Sequence, residues 1–485
     1  MEGNSAEKAI VTEASFIKDF LWYFIGSFAP LLIGFIKTPV FTRHFSKEAF
    51  GNLGIISITF TFLGMFLFSW LGSCIWRYYS KYKKNDRLRS LYSNLIFLYG
   101  ISLIVLSLIT LIWYVSAKIE LNQALIVYSF LQLVFNQLFL FYMVVIRLLG
   151  KVRFYTVIQS LRSLIGLFLA LFLVFYLEMD ITALVSSLVI VDFISLLCLF
   201  LFNPAQVKLS YTDLNKNDLF ELLQYGSLGL ILNISLLTIS YSDRYVIALF
   251  YDLDSVGIYD QVYKISQLSV MALITIYFNT INPKLLHILE SNYAGSMEFI
   301  HKYVYSFVLF GVPIVFYLSL FSEEISSLLL GKDFREGYLF MPFVFMATYL
   351  HGISNFFELR LKFSNKLKRL SFIAICTALL NIVLNLIFVR LYGYAWAAYT
   401  TLISYAFMIV MFYFWDPDVL KGLLNQRRDL LSVLGLLTIQ YVLYEFIVDK
   451  FSIQFEIRMV IGLIFVLTFF LAFRKTMLKA DIPIN

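Results

Sequence analysis

Apolar runs of about 20 residues, each long enough to cross a bilayer as a helix, recur some fourteen times along this 485-residue chain. They begin near Ile17, Ala49, Leu91, Gln123, Phe154, Ile181, Phe220, Val256, Tyr303, Tyr338, Leu370, Tyr394, Leu430 and Ile457. The expected fold class is therefore all-α, a polytopic membrane protein of about fourteen transmembrane helices. Charged residues make up 14% of the chain, against roughly 25% in soluble domains, so a polar outer surface is out of reach.

Lysine and arginine outnumber aspartate and glutamate by 38 to 31, and most of the basic residues fall in alternate loops. Arg77–Arg89 (RYYSKYKKNDRLR) and Arg360–Arg369 (RLKFSNKLKR) lead them. That asymmetry places both termini in the cytoplasm by the positive-inside rule. It accounts for the basic character without nucleic acid, and contact with anionic membrane lipids is its secondary use. The opening residues, MEGNSAEKAIVTEASF, carry Glu2, Glu7 and Glu13 where a signal peptide would be basic, so residues 1–15 read as a cytoplasmic segment. Cys74, Cys198 and Cys376 lie apart in apolar surroundings and read as small core residues. His44, His287, His301 and His351 show no metal-ligand spacing, and no phosphate loop, dinucleotide fingerprint or nucleophile elbow is present. Neither a cofactor nor a metal is expected, and the chain does not read as an enzyme.

The polar connection NPAQVKLSYTDLNKNDLFE divides the chain into similar halves. Phe50-Gly51-Asn52-Leu53 answers Val256-Gly257-Ile258-Tyr259, and Leu167–Phe202 lies over Leu380–Trp415 without a gap. Six spans per half is an even number, so the repeats are parallel, related by an axis along the membrane normal. The expected organisation is two pseudo-symmetric six-helix lobes, residues 16–203 and 220–416, joined by a cytoplasmic linker, 204–219. Residues 417–485 add two C-terminal helices and a cytoplasmic tail.

Four cations fall inside spans: Lys37, Arg162, Arg244 and Lys264. Facing lipid they would cost about 10 to 14 kcal/mol together, comparable to the whole stability of a domain. They are expected to line a wet cavity that favours an anion, since Arg forks and Lys point charges bind phosphates. Asp192, Asp243 and Asp260 are the acids available for pairing or for carrying a coupling ion. In span 4, Gln132 and Asn136 share a helix face, as do Gln159 and Arg162 in span 5. Pro30 and Pro39 bracket Lys37 in span 1, and Pro313 and Pro342 fall in spans 9 and 10, where a kink is tolerated if neighbours replace the lost bond. Asn381 and Asn385 read as packing contacts, and spans 13 and 14 either dock peripherally or wall a groove.

Taken in order, Phe50-Gly51, Trp76-Arg77-Tyr78-Tyr79, Ser242-Asp243-Arg244-Tyr245, Val256-Gly257-Ile258-Tyr259 with Tyr263-Lys264, and Leu391-Tyr392-Gly393-Tyr394-Ala395 resemble the polysaccharide flippases. These are the O-antigen, capsule and teichuronic-acid type members of the multidrug/oligosaccharidyl-lipid/polysaccharide exporter superfamily, and the resemblance covers roughly residues 16 to 475. It implies an alternating-access transporter of the bacterial cytoplasmic membrane that moves an undecaprenyl-pyrophosphate-linked oligosaccharide from the inner to the outer leaflet. It further implies that Asp243-Arg244 is the family's motif in span 7 and that Lys37 and Lys264 are basic lining positions. Glycan polymerase and glycosyltransferase partners are expected, with the chain acting as a monomer. At Leu391-Tyr392-Gly393-Tyr394 many relatives are richer in small residues, which leaves the glycan open. A cation-coupled multidrug exporter of the same superfamily is the alternative, although a cationic cavity would repel its usual cargo. A membrane-embedded polymerase or acyltransferase would need a sizeable polar loop with paired catalytic residues, which the sequence lacks.

Overall fold

The structure is a computed structural model that describes residues 30–116, 122–202, 207–210, 213–291, 296–364, 366–451 and 455–479. The expected cytoplasmic segment 1–15 and the beginning of span 1 lie outside the described residues, as does the end of the tail. Among the described residues nineteen α-helices follow in order. They are α1 (Pro30–Thr42), then α2 (Lys47–Leu67), α3 (Ser69–Lys84), α4 (Leu88–Ser116), α5 (Gln123–Leu148), α6 (Val152–Phe175), α7 (Thr182–Phe202), α8 (Lys216–Leu228), α9 (Leu230–Phe250) and α10 (Leu253–Ser266). A π-turn (Gln267–Met271) leads into α11 (Ala272–Ser291), followed by α12 (Ser296–Leu320) and α13 (Ser322–Leu329). A 3₁₀ segment (Lys332–Leu339) precedes α14 (Met341–Phe363), α15 (Leu367–Tyr392), α16 (Trp396–Trp415), α17 (Asp418–Asn425), α18 (Arg427–Phe451) and α19 (Phe455–Lys479). No β-strand occurs among the described residues.

Ten of these helical stretches are long and apolar enough to cross a membrane, and α2 with α3 and α8 with α9 each count as one. An eleventh is the 3₁₀ segment with α14, bent by 63° at the break. Pro342 therefore sits in the first turn of α14, where its missing N–H is harmless, whereas Pro313 is interior to α12. Every expected span after the first is occupied by helix, the eighth by α10, the π-turn and α11. The chain is an all-α, multi-pass membrane protein.

The helix ends are fixed by short polar residues. Asn122 accepts from the amides of Ala124 and Leu125 to start α5, and Asn215 accepts from Asn217 N to start α8. Gly393 ends α15 at φ 110°, a conformation costly for any residue with a Cβ. In the repeated stretches α7 and α16 hold equivalent places, ending at Phe202 and Trp415.

The described residues divide into two compact units. The first holds the chain up to Val40 and Ala49–Leu237; the second holds Phe41–Glu48 and the chain from Thr238 onward. In the first unit α8 is zipped along α3 and the start of α4. A Cβ on Gly226 would lie 2.4 Å from the Trp70 ring, and Cys74 Sγ donates to Leu222 O at 3.4 Å. Tyr78 meets Tyr225 edge-on at 5.6 Å, and Lys81 pairs with Glu221 at 2.8 Å. Arg87 and Ser90 hold Asp218, and Ser93 and Asn94 accept from the amides of Ser210 and Asn215. In the second unit α18 and α19 dock on α12 through a core of Leu309, Val433, Leu437 and Phe469. Tyr317 donates to Gln440, which donates in turn to Phe465 O and Thr468.

Candidate functional site

The second unit gathers one charged cluster from the facing ends of α9 and α10. Asp252 caps α10, accepting from Ser255 N at 2.8 Å and from the Ser255 hydroxyl at 2.7 Å. These two bonds hold its carboxyl below the usual carboxylate range. The turn between the helices folds α10 back along α9, so that Tyr259 donates to Asp243 Oδ2 at 2.5 Å. Arg244 is fully buried. Its Nη1 donates to Asp243 Oδ1 at 2.8 Å and to Ser240 O at 2.6 Å. The guanidinium lies over the ring of Tyr263 at 3.9 Å, with Tyr259 and Tyr241 at 5.1 and 5.3 Å. A desolvated cation over an aromatic face gains about 2 kcal/mol or more, so the tyrosines repay part of the cost of burying it. Its Nε stands 3.7 Å from Asp260 Oδ1, an ion pair rather than a hydrogen bond. Asp260 Oδ2 meets Lys264 Nζ at 3.1 Å, one turn along α10. The Lys264 side chain is 38% exposed, so it is the cation of this cluster that an outside anion can reach.

The first unit holds a second cluster. Both Arg162 Nε and Nη2 donate to Asp192, the latter at 3.0 Å, and Asn136 Nδ2 reaches the same carboxylate at 3.4 Å. Asp192 is fully buried and the Arg162 side chain 14% exposed. Phe139 lies under the guanidinium at 4.7 Å. Lys37 is half-buried on α1 and is repelled through space by Arg162, so this cluster sets two mutually repelling cations against one buried acid.

Of the expected site residues, Asp243, Arg244, Asp260 and Lys264 thus come together in the second unit, and Lys37, Arg162 and Asp192 belong to the first. Tyr259 and Tyr263 entered the sequence analysis only as motif residues, and neither they nor Tyr241 and Ser240 were expected in the site. The one available signal was the pairing of Tyr259 with Tyr263 at the same four-residue spacing as Asp260 with Lys264. Asn381 and Asn385 form a buried network with Thr400, Thr401 and Ser404 that ties α15 to α16, in keeping with a packing role.

Comparison with known proteins fits this architecture. The family described as polysaccharide biosynthesis protein matches residues 16–289, more than half of the chain and including the α9–α10 cluster. The chain belongs to this family. No curated protein matches the sequence. Among solved structures, that of the lipid II flippase MurJ in an inward closed conformation is similar with a TM-score of 0.67 at 18% identity, covering 94% of this chain and 99% of MurJ. An inward-facing multidrug resistance MATE family transporter of the MOP superfamily gives 0.58 at 13% identity, covering 82% and 95%. A mutant of the Vibrio cholerae MATE transporter VcmN gives 0.57 at 14%, covering 85% and 99%. These likenesses show that the chain shares the fold of MurJ and the MATE proteins.

Proposed function

We propose that this protein moves an undecaprenyl-pyrophosphate-linked oligosaccharide from the inner to the outer leaflet of the bacterial cytoplasmic membrane, with both termini in the cytoplasm. The two lobes, 16–203 and 220–416, expose the headgroup alternately to the two sides, and the chain acts as a monomer beside the glycosyltransferase and polymerase of its polysaccharide. The observation that carries this reading is the family match across a stretch containing Lys37, Arg162, Arg244 and Lys264. Cations inside spans are costly unless they serve an anion or a partner, and a pyrophosphate is the anionic part of a lipid-linked glycan. Lys264, Lys37 and Arg162, which retain exposure, contact the pyrophosphate. Arg244, enclosed by Asp243 and three tyrosines, supports Lys264 through their shared neighbour Asp260. Asp192 balances Arg162.

The test is leaflet-resolved flipping of a lectin-readable lipid-linked oligosaccharide in proteoliposomes. Lys264→Glu and Lys37→Glu should each abolish flipping while inserting normally. Normal flipping by both variants would refute the electrostatic account. Efflux of cationic compounds without flipping would establish the multidrug exporter instead.

A further inference from the structure

Arg244 is the one fully buried guanidinium among the described residues, and its bonding is incomplete. Nη1 is bonded twice, whereas Nε and Nη2 are buried without a hydrogen-bond partner. A buried donor left unbonded is expensive and calls for a reason. The nearest acceptor is Asp260 Oδ1, 3.7 Å from Nε. A charge-assisted N–H···O bond closes at about 2.7 to 2.9 Å, so a displacement of roughly 1 Å would complete it. What holds Asp260 back is its other oxygen, bonded at 3.1 Å to the half-exposed Lys264. One carboxylate is thus shared unequally between a buried cation that lacks a bond and an exposed cation that an arriving anion can claim.

From this geometry we infer that Asp260 is a positioning residue that reports occupancy of the headgroup site to the α9–α10 pair. The inference rests on the reading of Lys264 as a pyrophosphate contact. With the site empty, Asp260 neutralises Lys264. When a pyrophosphate takes the Lys264 ammonium, Asp260 is released and moves onto Arg244 Nε. Arg244 already binds Asp243 on α9, and Asp243 accepts from Tyr259 on α10. Closing the Nε bond adds a second tie between α9 and α10 when substrate is bound. No proton or electron moves; the Asp260–Lys264 pair is exchanged for a Lys264–pyrophosphate pair and a hydrogen bond from Arg244 Nε to Asp260.

The device separates binding from turnover. Asp260→Asn removes the charge that competes for Lys264, so pyrophosphate should bind about tenfold more tightly, as expected for deleting one charge a few ångströms away in a partly solvated site. Flipping should slow by a similar factor, because the amide no longer answers the release of Lys264. The probe is farnesyl pyrophosphate, titrated calorimetrically into the full-length protein in nanodiscs, with farnesol as control. A second readout is the Arg244 Nε–H resonance of ¹⁵N-arginine-labelled protein. It should move on adding farnesyl pyrophosphate to the wild type and stay still in Asp260→Asn. Lys264→Met changes a half-exposed residue and should give the ligand-bound Arg244 resonance without any ligand. An Arg244 resonance in Lys264→Met equal to that of the unliganded wild type would overturn the inference. So would weaker or unchanged binding in Asp260→Asn. Failure of the wild type to bind the probe would instead overturn the headgroup reading, and this inference with it.

Discussion

Thr42 accepts a hydrogen bond on its hydroxyl from the amide of Gly331 at 2.9 Å, and its carbonyl oxygen occupies the place a Cβ on Gly331 would take, only 2.0 Å away. The turn Phe41–Glu48 is thereby built into the second unit, where Arg43 also donates to Leu328 O and Lys47 pairs with Asp254. The φ of Gly331 is an ordinary −61°, so what demands glycine is space. Gly331→Ala should destabilise the protein by about 1 to 3 kcal/mol, the usual range for overpacking. Thr42→Ser should leave stability near that of the wild type. Thermal unfolding in detergent checks both; a wild-type melting temperature for Gly331→Ala would show that the turn is loosely seated.

Asp192 is a fully buried carboxylate held by two nitrogens of Arg162. Asp192→Ala leaves that guanidinium without its counter-charge and should cost about 3 to 5 kcal/mol. Arg162→Met combined with Asp192→Leu should recover much of the stability, because an apolar pair avoids the desolvation cost. The double variant should remain inactive if Arg162 contacts substrate. A double-mutant cycle of unfolding free energies, run beside the flipping assay, separates the two roles.

Gly226 faces Trp70 where α8 meets α3. Gly226→Ala forces the indole aside and should destabilise the first unit, although alanine is the better helix former by about 1 kcal/mol. Adding Trp70→Leu opens the space and should restore stability. If Gly226→Ala alone stabilises, the α3–α8 contact is not close.

The Asp252 carboxyl is held below its usual range by the amide and hydroxyl of Ser255. A group whose pKa is lower in the folded state contributes stability above its unfolded value, near pH 4 (about 3.9). That contribution is lost as pH falls through the lower folded value. The wild type should therefore lose melting temperature below about pH 4 more steeply than Asp252→Ala. At neutral pH the variant should be less stable by about 1 kcal/mol, the worth of an N-cap. Parallel acid profiles of the two proteins would contradict this.

The spans were legible in the sequence because a bilayer imposes a single length and a single polarity on them. The charged pairs were legible only in part. Asp243 and Arg244 are adjacent, and Asp260 and Lys264 lie one turn apart, so local spacing brought them into view. Their burial was not visible, because Tyr241, Tyr259 and Tyr263 are three of 32 tyrosines and only the fold back from α9 to α10 wraps them around one guanidinium. Arg162 with Asp192 joins residues on different helices, which no local period encodes. The bend before α14 was legible in part: Pro342 marked the place, but that it opens a helix after a 63° break, rather than kinking a continuous one, follows only from the structure.

The seating of α8 bears on how the two halves of such a chain could be inherited or taken apart. By repeat, α8 opens the second copy; by contact, it is the last piece of the first. A polypeptide severed in the connector near Ser210 would present, at the head of its second fragment, an arm whose socket lies on the first. Two such fragments would find each other as swapped partners do, by one lending the other a helix.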